Sequence, residues 1–315
     1  MGPREPATTN PQAKPGLPTF RHANHLEASY RNGGTGTEIC KADGRMAIPL
    51  QQHIVYGPVR SRRLGRSLGI NVLPVGSKVC NMNCAYCQYG WTRGQRLSGA
   101  RMKPWPSPAQ VSAAVAARLR LAARDDESLD RLTVAGHGEP TLHPEFEEIV
   151  DRLVEVRDRL APDLRLSVLS NSTTAAWPSV RRALGKFDER YMKLDAGDPI
   201  TYAHINGLGN SIVTIVDALR DLPQVVVQAM FVSDGKGRVD NTTEGAINEW
   251  LGAIDAIQPS RVQVYTIDRP PALQDLRAVP MRRLREIAER VRVREIPADV
   301  FTSTPDARKR RASLP

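Results

Sequence analysis

Residues 68–87, LGINVLPVGSKVCNMNCAYC, combine an apolar run with a cluster of thiols, and this stretch decides how the chain is interpreted. The apolar run at 68–74 predicts a β-strand. The loop behind it holds Cys80, Cys84 and Cys87 in a C-x3-C-x2-C spacing, which accounts for three of the four cysteines in 315 residues. So few cysteines, most of them in one loop, do not form a disulfide framework. They predict a metal site in a reducing compartment.

Outward from this loop, short β-rich runs alternate with amphipathic helical runs. The predicted strands are 68–74, 131–136, 164–171, 190–196, 224–232 and 261–267. Helices are predicted at 107–124, 144–160, 178–187, 210–222 and 243–257. Six strands that alternate with helices are typical of parallel β/α units joined by right-handed crossovers. The sequence therefore predicts an α/β fold.

Each predicted strand has an apolar face and a face with polar side chains, since successive residues of a strand point to opposite sides. A parallel sheet that is covered on both faces consists of nearly continuous apolar runs, which these strands are not. We therefore expect a curled, partly closed barrel whose polar face lines a cavity. Lys193, Asp195, Gln228 and Tyr265 lie on that face and are candidates for contacts to a bound molecule. The alternative is that these side chains pair with one another in a structural network.

The charge of the chain is uneven. The net formal charge is +10, and residues 51–103 contain nine Lys or Arg and no Asp or Glu. This basic block surrounds the cysteines, and its first four arginines are Arg60, Arg62, Arg63 and Arg66. Because a basic field concentrates anions, these arginines are expected either to bind an anionic substrate or to shield an anionic group at the cysteines.

The two ends of the chain differ from the middle. Residues 1–45 are rich in Pro, Gly, Thr and Asn without periodicity, which is typical of a disordered segment. Residues 301–315 form a basic tail that we also expect to be disordered, which leaves 46–300 for the barrel. The sequence has no apolar run of about 18 residues and no secretion signal at its start. We therefore expect a cytoplasmic protein without a membrane span.

Three kinds of site could use the cysteine cluster. A structural zinc site takes four ligands. The candidates for the fourth ligand are Cys40, His53, His137 and His143. None of them has the spacing of a zinc finger, and a redox pair of thiols would leave the third cysteine without a role. An iron–sulfur cluster normally takes four thiolates, so three would leave one iron open to another ligand.

The cysteine spacing, with the aromatic Tyr86 before the last cysteine, resembles the signature of the radical S-adenosylmethionine (radical SAM) superfamily. The segment GHGEPTLHP at 136–144 is similar to that superfamily's Gly-Glu segment, and Asn171 ends the third strand as expected. The resemblance covers residues 50–270 and implies a partial (β/α)6 barrel. The stretches GPVRSRRLGRSLGINVLP, VLSNST and KLDAGD further resemble a group of iron–sulfur oxidoreductases of mostly unassigned substrate, with wybutosine-synthesis enzymes more distant.

The resemblance implies that Cys80, Cys84 and Cys87 hold a [4Fe-4S] cluster whose open iron binds S-adenosylmethionine. It implies reductive cleavage of this cofactor to a 5′-deoxyadenosyl radical, which abstracts hydrogen from an unidentified substrate. A reductant such as flavodoxin or ferredoxin would supply the electron. Cofactor contacts are expected from Tyr86, Gly136, Gly138, Glu139, Asn171, Gln228 and Tyr265, and catalytic contacts from Lys193 and Asp195.

These residues also have plainer interpretations. Glu139 offers a carboxylate to the ammonium group of the cofactor, or it caps the next helix. The two glycines of the Gly-Glu segment allow backbone to approach a ligand closely, or they only form a turn. Asn171 could bond a ribose hydroxyl or end its strand, and Lys193 could simply pair with Asp195.

A function of another class stays open at this point: a basic, metal-stabilised module that binds nucleic acid. It would explain the charge, but an aromatic content of 5% offers no stacking platform for bases. Within the enzyme class, the basic block favours an anionic substrate, such as RNA or a phosphorylated molecule. A tRNA-modifying enzyme would be one such case.

Overall fold

The computed structural model describes residues 48–92, 104–207 and 212–302. Its strands are β1 (Val55–Ser61), β2 (Gly65–Ile70), β3 (Arg131–Val134), β4 (Arg165–Ser170), β5 (Glu189–Lys193), β6 (Val225–Met230), β7 (Val232–Ser233), β8 (Arg261–Tyr265), β9 (Arg277–Ala278) and β10 (Ala298–Phe301). One eight-stranded sheet has the order β1-β2-β3-β4-β5-β6-β8-β10. Its first pair is antiparallel and its other neighbours are parallel. Strands β7 and β9 form a small antiparallel pair.

The helices of the described residues are α1 (Pro108–Arg124), α2 (Phe146–Leu160), α3 (Pro178–Gly185), α4 (Pro199–Asn206), α5 (Ile212–Arg220), α6 (Glu244–Ile257) and α7 (Met281–Arg292). Three of these helices, α1, α4 and α6, begin at a side-chain cap. The Ser107 hydroxyl accepts from the Gln110 N–H, and the Gln110 side chain accepts from the Ser107 N–H. This capping box satisfies two donors that a helix start otherwise leaves without partners. Asp198 and Thr243 cap α4 and α6 with one side-chain bond each, from the Thr201 and Ala246 N–H groups.

The six strands expected to be parallel are neighbours in chain order, from β2 to β8. With right-handed crossovers, this order places every connecting helix on one face of the sheet and curls the sheet away from them. The strand residues on the helix side are completely buried: Leu68, Leu132, Leu166, Met192, Val227 and Val262. The core therefore lies between sheet and helices, and the partial α/β barrel that was expected is confirmed.

The opposite face of the sheet lines the lumen, and its deep residues pair with one another. The hydroxyls of Ser67 and Thr133 lie 2.6 Å apart on neighbouring strands. The amide of Gln228 donates to the Gln263 carbonyl oxygen at 2.8 Å. This part of the lumen is the structural network that the sequence left open as an alternative.

The base of the barrel, where the parallel strands begin, is closed by an ion pair. Arg131 at the start of β3 pairs with Glu189 at the start of β5 and donates to the Tyr191 hydroxyl at 2.9 Å. Ser167 on the strand between them donates to Glu189 at 2.9 Å. The lumen is therefore plugged at its base and opens toward its rim, where the parallel strands end.

The sequence-based expectation fails at the edges of the sheet. Strands β1 and β10 were not predicted, and the first predicted strand, 68–74, is β2, which begins and ends earlier. β1 contains Pro58 and exposed Arg60 and lacks an apolar alternation, while β10 has only four residues. Helix α7 was also missed, although its buried residues Leu284, Ile287, Ala288 and Val291 have helical spacing.

The predicted division into a segment 1–45, a barrel 46–300 and a tail 301–315 stays a prediction. Residues 1–47 and 303–315, with Cys40 among them, lie outside the described residues. Among the helices within the described ranges, none combines the length and the apolar composition needed to cross a membrane.

Candidate functional site

The cysteine loop follows β2 at the rim and is fixed by backbone contacts to the end of α4. The N–H groups of Asn83 and Ala85 donate to the carbonyls of Asn206 and Ile205, both at 2.9 Å. Gly207 ends the helix with a positive φ of 70°, and a Cβ there would lie 2.7 Å from the Asn83 carbonyl oxygen. The chain therefore needs glycine at this position to bring helix and loop together.

The Gly-Glu segment supports the same loop from the side of β3. The Glu139 N–H donates to the Val79 carbonyl at 2.8 Å. A Cβ on Gly138 would lie 1.7 Å from that carbonyl oxygen, and a Cβ on Gly136 would lie 2.3 Å from the Asn71 side-chain oxygen. Both glycines allow a close approach, and the groups that approach them are parts of this chain. Contact of these glycines with a cofactor stays a prediction.

Each of the three half-buried cysteines has a nitrogen donor beside its sulfur. The donors are Met82 N at 3.4 Å and Asn171 Nδ2 at 3.8 Å from Cys80, Asn206 Nδ2 at 3.4 Å from Cys84, and Lys78 Nζ at 3.3 Å from Cys87. Donors of this kind favour sulfur as an anion. The surroundings of the loop therefore suit thiolates.

Burial opposes the same charge. Burial raises the pKa of the Cys80 thiol to about 12 and also raises the pKa of Cys84, with the neighbouring acidic groups adding to the effect. Burial therefore favours the protonated thiols, and a bound cation that replaces the protons would offset this cost.

The donor set fits an iron–sulfur cluster better than a single ion. In the described part of the chain, no three His, Cys, Asp or Glu side chains converge on one point where a metal ion could be held. A multi-iron cluster takes its thiolates on separate irons, so its ligands need not converge. Three sulfurs with nitrogen donors on one loop suit such a group, and Cys80, Cys84 and Cys87 would hold it.

Glu139 is buried between the ends of β3 and β4. Its Oε1 accepts from the Thr141 N–H at 3.1 Å, the Thr141 hydroxyl at 2.6 Å and the Ser170 hydroxyl at 3.0 Å. Its Oε2 accepts from the Asn171 N–H at 2.6 Å. Burial raises the pKa of Glu139, and these bonds oppose that rise. The residue caps the short 3-10 helix Pro140–Leu142 rather than the longer helix expected from position 144, and a second acceptor position on Oε2 suits a ligand ammonium.

The side chain of Asn171 reaches the cysteine loop from the end of β4. Its Nδ2 donates to the Asn81 side-chain oxygen at 2.8 Å, and its Oδ1 accepts from the Thr173 hydroxyl at 2.7 Å. The structure thus brings Asn171 and Glu139 to the same side of the cysteine loop, and their contact with a cofactor stays a prediction.

Asp195 lies behind the cysteine loop and holds it in place. Its carboxylate accepts hydrogen bonds from the Tyr86 hydroxyl, from Asn206 Nδ2 at 2.8 Å and from the Met230 N–H at 2.8 Å. Burial and the negative charge of Asp195 raise the pKa of Tyr86, so the phenol stays protonated and donates. Asp195 therefore acts on the loop as a positioning residue, and Asn206, which the sequence did not single out, belongs to the same network.

Lys193 extends from β5 toward the lumen. Its ammonium lies 3.1 Å from the Tyr265 hydroxyl, 3.7 Å from the Asp195 carboxylate and 4.4 Å from the centre of the Tyr86 ring. Burial lowers the pKa of Lys193, but Asp195 and Tyr265 raise it more, so the net shift is upward. The lysine therefore carries a fixed positive charge. Lys193 lies at the lumen and also pairs with Asp195, which was the alternative to a catalytic contact, so a catalytic role for these two residues stays a prediction.

A cavity of about 450 Å³ occupies the lumen between the cysteine loop and the β1–β2 hairpin. Lys193 and Tyr265 line it, as do Tyr86 and Cys87 of the loop. Gln228, a predicted cofactor contact, lies deeper, where it pairs with Gln263. The cavity thus connects one of the three thiols with the open side of the barrel.

The two histidines that flank Glu139 have both ring nitrogens engaged. His137 accepts from the Gln51 N–H at 3.0 Å and lies 3.1 Å from the Pro74 carbonyl. His143 lies 2.9 Å from the Pro106 carbonyl and accepts from a backbone N–H on its other nitrogen. Burial lowers the pKa of both rings. They are neutral, structural histidines, and neither is placed to be the fourth metal ligand.

Comparison with known proteins identifies the family. The model of the Radical SAM superfamily matches residues 75–234. The UPF0026 protein slr1464 of Synechocystis sp. is 34% identical over 229 residues, which cover 70% of this chain and 77% of the relative.

Two solved structures share the fold. A radical SAM methyltransferase from Sphaerobacter thermophilus superposes with a TM-score of 0.54 at 16% identity, over 75% of this chain and 66% of that chain. Streptococcus suis SuiB bound to S-adenosylmethionine superposes with a TM-score of 0.52 at 14% identity, over 82% and 52%. Because the family model matches just over half of its length, this chain belongs to the radical SAM superfamily and is an enzyme of that superfamily.

Proposed function

We propose that this protein binds a [4Fe-4S] cluster through Cys80, Cys84 and Cys87 and uses it to cleave S-adenosylmethionine reductively. The observation that carries the proposal is the cysteine loop itself, with three donor-supported sulfurs at the rim and a cavity that reaches Cys87. The bound group would supply one-electron reduction of the sulfonium, which releases methionine and a 5′-deoxyadenosyl radical that takes a hydrogen atom from the substrate.

The residues of this chain would bind and position the reactants. Glu139 offers its Oε2 to the ammonium group of S-adenosylmethionine, and Asn171 beside it offers a polar amide. Lys193 presents a permanent positive charge to the cavity and would hold a carboxylate there. Asp195 and Tyr86 keep the loop in register with β5, so that reacting groups meet at a fixed distance.

Membership of the superfamily supports radical SAM chemistry in general. SuiB binds S-adenosylmethionine in a related barrel, as its structure shows. Several finer points stay predictions: the substrate, the net reaction as an oxidoreductase, the flavodoxin or ferredoxin that would reduce the cluster, and the cytoplasmic location. Modification of tRNA also stays a prediction within the enzyme class.

The test is anaerobic reconstitution of the full-length chain with iron and sulfide, followed by incubation with dithionite and S-adenosylmethionine. We expect a brown protein with about four irons and four sulfides per chain, and slow release of 5′-deoxyadenosine without added substrate. A colourless protein that retains one zinc ion and releases no 5′-deoxyadenosine would support the metal-stabilised nucleic-acid module instead.

A further inference from the structure

The cavity beside the cysteine loop has a strongly basic wall. Its mouth is lined by Arg60, Arg62 and Arg63 of the β1–β2 hairpin and by Arg269 of the segment after β8. Together with Lys193 this places five cations around it, and among its described lining residues Asp268 is the acidic one. A low-dielectric cleft with one sign of charge concentrates ions of the other sign. The wall therefore suits an anion.

Arg63 is the best-placed cation of this wall. The tight turn that carries it is fixed by Ser61, whose hydroxyl accepts from the N–H groups of Arg63 and Leu64. Its guanidinium lies 4.2 Å from the centre of the Tyr265 ring. Its Nη1 is buried and has no hydrogen-bond partner within the described residues. A buried donor of a charged group is costly to leave without a partner, so this nitrogen suits a ligand acceptor.

The other arginines at the mouth hold weaker contacts. Arg62 pairs with Asp268 at 2.9 Å, and both side chains are close to half exposed. Arg269 donates to the Gln88 side-chain oxygen at 3.0 Å, and Arg60 is exposed. Exposed pairs of this kind contribute little and can be exchanged for a ligand.

Aromatic rings form the inner part of the same cavity. Tyr56, Tyr89 and Tyr265 line it. The Tyr56 ring lies directly over Gly69 of β2, where a Cβ would come within 2.2 Å of the ring. Gly69 therefore lets a tyrosine of the hairpin reach into the lumen. Flat apolar walls below a cationic mouth suit a ring system with an anionic group at one end.

The cavity shares only part of its lining with the residues expected to contact S-adenosylmethionine, since Tyr86 and Tyr265 line it. Cys87 and Lys193 line the cavity, whereas Glu139 and Asn171 lie on the other side of the cysteine loop and are not among the described residues that line it. A volume of about 450 Å³ matches a small molecule and is too small for a folded macromolecule.

We propose that the hydrogen-donating substrate of this enzyme is a small organic anion, a flat unsaturated ring that bears a phosphate or carboxylate, and that Arg63 binds its anionic group. This rests on the proposed function for the site of reaction, but the binding itself needs neither the radical nor a reductant. Arg60, Arg62 and Arg269 add to the positive electrostatic potential at the mouth of the cavity. The tyrosines that line the cavity would hold the substrate ring next to Cys87.

Calorimetric titration of the anaerobically purified full-length chain tests this inference. The probes are phenyl phosphate, benzoate and the neutral benzyl alcohol, at low ionic strength. We expect one or both anions to bind and benzyl alcohol to bind at least about tenfold more weakly, since a charge-assisted bond is lost. The two anions distinguish a phosphate from a carboxylate as the preferred group.

Variants assign the binding to the cavity. Arg63→Gln should weaken the preferred anion about tenfold or more, and Arg63→Lys should weaken it less, since a charge without the planar fork remains. Arg282→Gln on α7 is the matched control, because Arg282 is 85% exposed on the far side of the helix layer and should leave binding unchanged. Circular dichroism and the Tm verify that each variant is folded. If Arg63→Gln does not fold, the Arg60→Gln/Arg269→Gln pair replaces it and should weaken binding at least threefold.

Equal binding of all three probes would overturn the inference, as would an Arg63→Gln variant that binds anions like the unaltered chain. A twelve-nucleotide single-stranded RNA forms the last arm. If it binds more tightly than the small anions and Arg63→Gln weakens the RNA alone, the basic wall serves a nucleic acid and the inference is wrong. These titrations contain neither S-adenosylmethionine nor dithionite. If the anions fail to bind, the release of 5′-deoxyadenosine can still be tested separately. If 5′-deoxyadenosine is not released, the binding results can still be interpreted.

Discussion

The base and the rim of the barrel each contain a half-buried arginine, but the two arginines have different partners. At the base, Arg131 pairs with Glu189 and donates to Tyr191, so a carboxylate compensates its charge even though its buried Nε has no hydrogen-bond partner in the described residues. At the rim, Arg63 lies against the Tyr265 ring, and its buried Nη1 has no partner in the described residues. We infer from this difference that Arg131 at the base stabilises the fold, whereas Arg63 at the rim is available to bind a ligand.

The largest effect is expected at the cysteine loop. Replacing Cys80, Cys84 or Cys87 with serine should remove most of the bound iron and lower 5′-deoxyadenosine release at least about 100-fold, since even an outer-shell partner of a metal can be worth that much. Iron and sulfide analysis of the anaerobically reconstituted variants checks this. Cys40→Ser is the control and should behave like the unaltered chain. Full iron content in any one of the three loop variants would contradict the assigned ligand set.

The contrast between base and rim can be tested directly on stability. Arg131→Gln removes the nearer cation from the half-buried Glu189, leaving only Arg165 at 3.6 Å among the described residues, and should lower the free energy of unfolding by up to about 3 kcal/mol. Arg63→Gln should change it by less than about 1 kcal/mol, because no carboxylate loses a partner. Urea unfolding of both variants gives the two values. A larger loss for Arg63→Gln than for Arg131→Gln would reverse the comparison.

The close approach at Gly138 gives a smaller effect. Alanine there would meet the Val79 carbonyl and should cost about 1–3 kcal/mol, since overpacking displaces backbone. Because Val79 precedes the first cysteine, the variant should also retain less iron. Gly252→Ala on α6 is the matched control, since its Cβ meets no atom within 4 Å and alanine favours a helix. Thermal unfolding and iron analysis of both variants measure these effects. A Gly138→Ala variant with unchanged stability and iron content would contradict the claim that the Gly-Glu segment supports the cysteine loop.

The smallest effect is expected from the histidines beside the Gly-Glu segment. Burial holds the pKa of His137 and His143 below the ordinary value of 6.5. The unfolded chain therefore binds more protons near that pH, so stability is present above pH 6.5 and is lost as pH falls below it, by up to about 1.4 kcal/mol per histidine and pH unit. Urea unfolding at pH 7.5 and pH 5.5 measures this loss. The His137→Asn/His143→Asn variant should lose less of its free energy of unfolding between these two pH values than the unaltered chain. An equal loss in both proteins would assign the pH dependence to other groups.

The sequence was sufficient for the parts of the molecule that repeat a pattern. Alternation along single strands predicted the six parallel strands and placed Lys193 and Tyr265 on the lumen face, and local spacing predicted the cysteine loop. Contacts between distant segments left no such pattern. Asn206 meets the Cys84 sulfur across 122 positions, and Arg63 meets Tyr265 only because the unpredicted hairpin folds over the lumen.

Electron paramagnetic resonance of the reduced, reconstituted protein tests the central claim most directly. If three thiolates hold a four-iron cluster with one iron open, dithionite should produce the signal of a reduced [4Fe-4S] cluster, and S-adenosylmethionine should change its shape by binding to that iron. A signal that S-adenosylmethionine leaves unchanged, or a protein that yields no such signal, would contradict the account.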